Sequence, residues 1–200
     1  MKIIGLTGSI GMGKSTAAAA FRRAGVAVFD ADRTVRALQA PHGAAVPAIA
    51  ALAPGAVHDG GVIDRAALRA AVVADPALMA GLEAIMHPLV RRAQARFLAG
   101  ARARRCRWVV LDVPLLLEGR GWRQCDLVVV VSAPHAVQMQ RVRSRRSMSE
   151  HEAAALIARQ MPDADKRRRA DLVVRTGLSR AHGLRQIRRL LARLHEEGRR

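Results

Sequence analysis

The segment GLTGSIGMGKST, residues 5–16, follows the short apolar run KIIGLT at residues 2–7 and leads into the alanine-rich run STAAAAFRRAG at residues 15–25. At its centre is the pattern G-x-x-x-x-G-K-S/T. Glycines allow successive backbone N–H groups to turn inward around an anion without Cβ clashes. A helix that begins near Lys14 directs the positive end of its dipole at the same point. The segment therefore predicts a strand, a phosphate-binding loop and a helix.

This pattern is the P-loop of nucleoside-triphosphate-binding proteins, and its positions have distinct chemical roles. Lys14 supplies a point charge to the β- and γ-phosphates of ATP, and the Ser15 hydroxyl is expected to ligate Mg²⁺. A glycine turn that only joins a strand to a helix is the competing interpretation, and the apolar strand and alanine-rich helix around the motif favour nucleotide binding. The predicted nucleotide-binding residues of the loop are Gly8, Gly11, Met12, Gly13, Lys14, Ser15 and Thr16.

Short, continuous apolar runs predict a parallel sheet that is covered on both faces. The candidate strands are residues 2–7, 26–30, 108–113, 127–132 and 171–176. Helical patterns alternate with them, including residues 15–25, 149–161 and 179–197. We therefore predict an α/β fold of three layers with a five-stranded parallel sheet.

The region from about residue 40 to residue 105 contains no convincing strand pattern. Asp64 predicts the cap of one helix, and a longer helical pattern is expected to break near Pro88. We interpret this region as a helical lobe inserted into a single domain of residues 1–200. The arginine-rich stretch RVRSRRS at residues 141–147 is interpreted as a mobile loop between two helices.

Composition limits the classes of function. The chain has 34 Lys and Arg against 16 Asp and Glu, a formal net charge of +18 at pH 7. Nucleic-acid binding fits this charge, but the arginines are spread along the chain and only 2% of residues are aromatic, too few for base stacking. The two cysteines lack metal-ligand spacing, so we expect no cysteine metal site and no disulfide framework. We expect a cytoplasmic protein without a membrane or nucleic-acid partner. No exposed apolar stripe stands out to indicate an oligomeric state, and a monomer is favoured.

Two acidic positions follow predicted strands, at the sheet edge where open α/β folds bind ligands. Asp32, in FDADR at residues 29–33, is a candidate base for the proton of an attacking hydroxyl. It is equally a candidate N-cap for a helix that begins at Arg33. Asp112 ends the apolar run WVVLD, as in a Walker B strand, and is a candidate for holding Mg²⁺ through a water. The alternative for Asp112 is a strand-end residue that orders the turn at Pro114.

Eight segments, in order along nearly the whole chain, resemble the dephospho-coenzyme A kinase family. They are GLTGSIGMGKST, GVAVFDADRTV, GGVIDRAALRAAVVADP, LEAIMHPLV, VLDVPLLLE, QMQRVRSR, SEHEAAALIARQ and DADKRRRADLVVRTG. The P-loop is common to many families, whereas the combination of DAD, HPLV and DVPLLLE is far more specific. The resemblance implies a P-loop kinase that transfers a phosphoryl group from ATP, with Mg²⁺, to the ribose 3′-hydroxyl of dephospho-CoA, the last step of coenzyme A biosynthesis.

The resemblance also implies roles for residues on the acceptor side. Asp32 is then the general base, and Asp112 lines the cleft together with the VPLLLE segment that contains Leu115. Arg65 and His87 fall in the inserted lobe, which resembles the part of the family that binds CoA. A histidine before a proline is as often a helix-end residue that hydrogen-bonds locally, so both interpretations of His87 stay open.

On the nucleotide side, Arg141 and Arg145 fall in a lid, about residues 141–165, that brings guanidinium groups over the phosphates. Solvated surface charge is the alternative for such arginines. Thr176 and Gly177 resemble the loop that contacts adenine. Two other functions fit parts of the sequence: a kinase of another small acceptor, such as a nucleoside monophosphate, and a nucleic-acid-binding ATPase.

Overall fold

A computed structural model describes residues 1–146 and 148–197, with the side chains of residues 145, 146 and 197 excepted. Five of its strands form one parallel sheet in the order β2-β5-β1-β6-β7. These strands are β1 (Lys2–Thr7), β2 (Ala27–Asp30), β5 (Trp108–Asp112), β6 (Leu127–Ser132) and β7 (Leu172–Arg175). The predicted α/β class and the five strands are confirmed, and the bounds of β1 and β6 are those predicted.

The interiors of the strands are apolar because both faces of the sheet are covered. In β6, Val129 and Val131 pack with α1 (Lys14–Arg23) and α9 (Arg180–Glu197) on one face. Val128 and Val130 pack on the other face, in a cluster that contains Leu116 and Leu117. On α9, Ile187, Leu191 and Leu194 are buried in the first of these clusters.

Three further helices lie between β6 and β7: α6 (His135–Arg146), α7 (Glu150–Ala158) and α8 (Asp163–Arg168). Ser149 and Glu152 form a capping box at the start of α7, in which each side chain accepts from the other residue's backbone N–H group. The loop predicted at residues 141–147 is wrong, since α6 continues to Arg146. Arginine is a good helix former, and neither glycine nor proline interrupts this stretch. Ser147, the last residue of that prediction, lies outside the described residues.

The chain divides into two compact units: the sheet unit, Met1–Phe29 with Ala101–Arg200, and a second unit, Asp30–Gly100. Its elements are α2 (Ala31–Leu38), α3 (Val46–Leu52), β3 (Val57–His58), β4 (Val62–Ile63), α4 (Arg65–Ala74) and α5 (Pro76–Ala103), which ends beyond Gly100. The absence of strands predicted for this region is wrong, because β3 and β4 form a short antiparallel hairpin. Its turn uses Gly60 and Gly61, both with positive φ, 78° and 74°.

The predicted cap at Asp64 is confirmed. The Asp64 carboxylate accepts hydrogen bonds from the backbone of Ala66 and Ala67, and these bonds, that of Ala67 foremost, lower the pKa of Asp64. The predicted break near Pro88 is wrong, since α5 runs through Pro88 without ending. A proline removes only one helical hydrogen bond. Packing of the flanking Met86 and Leu89 in the core of this unit holds the helix on both sides of Pro88.

Among the described residues, no helix combines the length and the apolar composition needed to cross a membrane.

Candidate active site

The phosphate loop connects β1 to α1 and turns on glycines. Gly11 has φ 77°, in the left-handed region that disfavours other residues. A Cβ on Gly11 would lie 2.9 Å from Val142 Cγ2 and 3.0 Å from the Gln138 carbonyl oxygen. Gly11 is therefore required both by its backbone conformation and by the close approach of α6. Gly13, with φ 93°, is the N-cap of α1, and among the described side chains none caps this helix, so its amino terminus can receive an anion.

Lys14 and Asp112 form an ion pair at the carboxyl edge of the sheet. Lys14 Nζ lies 2.6 Å from Asp112 Oδ1. In the parallel register, Asp112 at the end of β5 is the partner of Leu6 in β1, so it lies beside the start of the loop. Asp112 is only 4% exposed, and a buried carboxylate is stable as an anion only with a cationic or hydrogen-bonding partner. The pair therefore holds the lysine ammonium at the loop.

The residues predicted to hold Mg²⁺ have the donor chemistry of such a site. Ser15 is exposed in the first turn of α1, and Asp112 ends the neighbouring strand β5. Mg²⁺ prefers oxygen ligands and is usually held by one or two carboxylates, with waters and substrate phosphates completing its shell. A hydroxyl and a carboxylate at a phosphate-binding loop fit this ion.

Arg141 and Thr176 are tied to the loop and to each other. Thr176 Oγ1 donates to the Met12 carbonyl oxygen at 2.6 Å, and Arg141 donates to Thr176 Oγ1 at 3.1 Å and to the Thr176 carbonyl at 2.7 Å. Both residues line a cavity of about 200 Å³ between α1 and α9, together with Gly13 and Thr16. The structure thus brings four of the predicted nucleotide-side residues together.

Gly177 lies on a different cavity. This second cavity, of about 870 Å³, is lined by Gly177, Met12 and residues of α6 and α8. A Cβ on Gly177 would come within 2.3 Å of Pro134 Cδ, so this glycine is packed against the connection between β6 and α6. Arg145 belongs to α6, but its side chain is outside the part of the chain that the structure describes.

In the second unit, the interpretation of Asp32 as an N-cap is wrong. The helix begins at Ala31, and its cap is Asp30, whose Oδ1 accepts from the Arg33 N–H at 2.8 Å. Asp30 has the extended backbone that an N-cap requires, whereas Asp32 already lies within the first helical turn and is exposed. The carboxylate of Asp32 is therefore not used to cap this helix.

Arg65 is the exposed first residue of α4, and His87 is exposed in the middle of α5. The helix-end interpretation of His87 is wrong, because α5 continues well beyond it. Leu115, in the loop that follows β5, has 53% of its surface exposed, which is high for a leucine.

A buried ion pair behind the loop that follows β5 was not predicted from the sequence. Lys166 is fully buried in α8, and its Nζ lies 2.8 Å from Glu118 Oε1. The same oxygen accepts a hydrogen bond from Met161 N. The pair attaches the loop after β5 to α8. The one available signal in the sequence is that Lys166 is a lysine in a chain that otherwise uses arginine almost everywhere.

We expect Glu118→Ala to lower the free energy of unfolding by roughly 2 kcal/mol or more, measured by urea denaturation, because it leaves the buried Lys166 ammonium without its carboxylate. This expected loss starts below the range of about 3–5 kcal/mol for fully buried pairs because the Glu118 side chain is 23% exposed. As a control, Glu150→Ala removes the partner of Arg143 in a surface pair with side chains 75% and 50% exposed, and should cost about 0.5 kcal/mol or less. Equal losses from the two variants would contradict the anchoring role of the buried pair.

Comparisons with known proteins agree over nearly the whole chain. A model of the dephospho-CoA kinase family (CoaE) matches residues 2–180. A dephospho-CoA kinase from Gluconobacter oxydans is 54% identical over 200 residues, covering 98% of this chain and 99% of that protein. The crystal structure of TT1252 from Thermus thermophilus has a TM-score of 0.83 at 36% identity and covers 96% of this chain and 97% of that one. Dephospho-CoA kinase from Campylobacter jejuni, 18% identical, shares the fold with a TM-score of 0.65 over 96% of this chain and 97% of that one. On the match to the family model and the identity to its members, this chain belongs to the dephospho-CoA kinase family.

Proposed function

We propose that this protein transfers the γ-phosphoryl group of ATP to the ribose 3′-hydroxyl of dephospho-CoA, giving coenzyme A and ADP. The match to the family model over residues 2–180 is the observation that supports dephospho-CoA as the acceptor. The phosphate loop, with Lys14 held beside Asp112, supports the nucleotide half of the reaction independently. An enzyme of coenzyme A synthesis acts on soluble metabolites, which supports a cytoplasmic location and small molecules as its only substrates.

On the nucleotide side, main-chain N–H groups of the loop and the amino terminus of α1 bind the triphosphate. Lys14 neutralises charge that develops on the transferring group, and such fixed charges account for much of the catalysis in phosphoryl transfer. Mg²⁺, when bound by Ser15 and Asp112, supplies further positive charge to the phosphates. Arg141 and Arg145 are the guanidinium groups of the lid, and the bonds of Arg141 to Thr176 support its place beside the nucleotide. Thr176 and Gly177 contact the adenine.

On the acceptor side, Asp32 accepts the proton of the ribose hydroxyl as the oxygen attacks phosphorus. The exposure of its carboxylate and the use of Asp30 as the helix cap support this role. Arg65, His87 and Leu115 contact the CoA portion. A basic side chain suits the phosphates of the acceptor, and the exposed Leu115 suits an apolar part of it.

A coupled assay of ADP release tests the proposal. We expect release with dephospho-CoA to exceed the rate without acceptor by at least about a hundredfold, because water is excluded from a kinase site that closes over its substrates. Phosphorus NMR of the product should show a new 3′-phosphate. Matched reactions contain AMP, CMP or a nucleoside, and one contains a polynucleotide.

The outcomes separate the alternatives. Faster turnover of AMP or CMP would assign another small acceptor. Polynucleotide-stimulated ADP release that falls steeply with salt would assign a nucleic-acid-dependent ATPase. Either result would overturn the proposed acceptor.

A further inference from the structure

One residue of the phosphate loop, Ile10, is held at both of its backbone groups by glutamine side chains from outside the loop. Gln160 Oε1 accepts from the Ile10 N–H at 2.8 Å. Gln138 Nε2 donates to the Ile10 carbonyl oxygen, also at 2.8 Å. Each glutamine therefore uses the opposite end of its amide, which can both donate and accept.

Gln138 lies just before the segment predicted as the lid, residues 141–165, and Gln160 lies within it. Gln138 lies in α6, one turn before Arg141, and is only 3% exposed. Gln160 follows the end of α7. Because α6 also approaches Gly11 so closely that a Cβ would not fit, the contact between this helix and the loop is direct. Helix α6 and the connection after α7 are thus both attached to a single loop residue.

These bonds have a consequence for the anion site. The peptide unit is planar and trans, so the Ile10 carbonyl and the Gly11 N–H point in opposite directions. A carbonyl fixed toward Gln138 therefore directs the Gly11 N–H away from α6. Arg141 bonds the next carbonyl, that of Gly11, at 3.3 Å, and Thr176 bonds the one after it. These three consecutive carbonyls are occupied by side chains outside the loop. The N–H groups of Ile10 and Met12 are also bonded, to Gln160 and to the Ser9 carbonyl, so an anion would be bound by N–H groups of the loop other than these two.

We propose that Gln138 and Gln160 are positioning residues that preset the phosphate loop for the triphosphate. The inference rests on the proposed function only in that the ligand of the loop is ATP, and it does not depend on the acceptor. A loop fixed before binding loses less conformational entropy when ATP binds, so removing either bond weakens ATP affinity.

The experiment measures ATP affinity by calorimetry with Mg²⁺ and without acceptor, and then kcat and KM for each substrate. Gln138→Met and Gln160→Met keep side-chain volume and remove the donor and the acceptor. Each is expected to weaken ATP binding by about fivefold or more. KM for ATP should rise in parallel, whereas KM for dephospho-CoA should stay within about twofold. Gln140→Met, an exposed position on the same helix, is the matched control and should bind ATP like the native chain.

Gln160→Glu distinguishes positioning from general packing. Glutamate keeps an oxygen that accepts from the Ile10 N–H, so we expect near-native ATP affinity even though the added negative charge alone would repel phosphates. Equal loss in Gln160→Glu and Gln160→Met, or native affinity in both methionine variants, would overturn the inference. Thermal melting identifies any variant that fails to fold. If a methionine variant fails to fold, the ATP affinity of Gln160→Glu alone tests the inference: near-native affinity supports it and a loss contradicts it. If the native chain binds ATP but does not phosphorylate dephospho-CoA, the proposed acceptor fails while this inference stands; if the native chain does not bind ATP, both fail.

Discussion

Replacing Lys14 by alanine is expected to lower kcat by at least about a hundredfold and to weaken ATP binding. The Lys14 ammonium lies 2.6 Å from Asp112 Oδ1, with side chains 15% and 5% exposed. In such a shielded position, a charge acts on the phosphates with little screening by solvent. Steady-state kinetics and calorimetric titration with ATP measure the two effects.

The same substitution leaves the buried Asp112 carboxylate without its lysine, so part of any loss could come from a less stable protein. The double variant Lys14→Ala, Asp112→Asn separates the two causes. We expect the double variant to recover free energy of unfolding in urea, because the unpaired charge is gone, and to remain catalytically impaired. Native turnover in Lys14→Ala would show that Lys14 does not act at the phosphate site.

Local patterns predicted the nucleotide half of the molecule well. β1 and β6 were located to the residue because strands buried on both faces are apolar throughout, and turn or helix signals bound them. The P-loop is a contiguous motif whose chemistry depends on neighbours in sequence, so Gly11, Lys14 and Ser15 could be identified without the fold.

Contacts between distant parts of the chain could not be predicted in this way. Lys14 and Asp112 are 98 residues apart, and Ile10 is 128 and 150 residues from its two glutamines. No local signal marks a glutamine that will meet a particular backbone group. Lys166 lies in a run of charged residues, so its complete burial in the fold could not be predicted either.

Two errors arose where a local rule competes with context. The high density of arginine at residues 141–147 was interpreted as a loop. Solvated arginines also occur on helix surfaces, because arginine is a good helix former. The helix of residues 76–103 tolerates Pro88 because packing on both sides outweighs one missing hydrogen bond. The two acids of the DAD motif show the limit of boundary prediction, since a shift of two residues exchanged the cap from Asp32 to Asp30.

Because Asp30 and not Asp32 caps α2, the two acids can be tested separately. Asp32→Asn is expected to reduce kcat by about a hundredfold to ten-thousandfold, the range for loss of a general base. ATP affinity, measured by calorimetry, should stay within about twofold, because the proposed role of Asp32 concerns the acceptor. Since Asp30 caps α2, Asp32→Asn should cost less than about 1 kcal/mol of stability, the value of a charge near a helix amino terminus.

Asp30→Asn is the matched variant, because asparagine caps helices as well as aspartate does and the substitution removes only a carboxylate two residues away. If Asp32 is the base, Asp32→Asn loses far more turnover than Asp30→Asn, at similar urea stability. If Asp30→Asn instead loses more turnover than Asp32→Asn, Asp30 is the base that accepts the proton. Equal, small losses would mean that neither acid removes the proton, and phosphoryl transfer would then depend on positioning and on the cations of the nucleotide site alone.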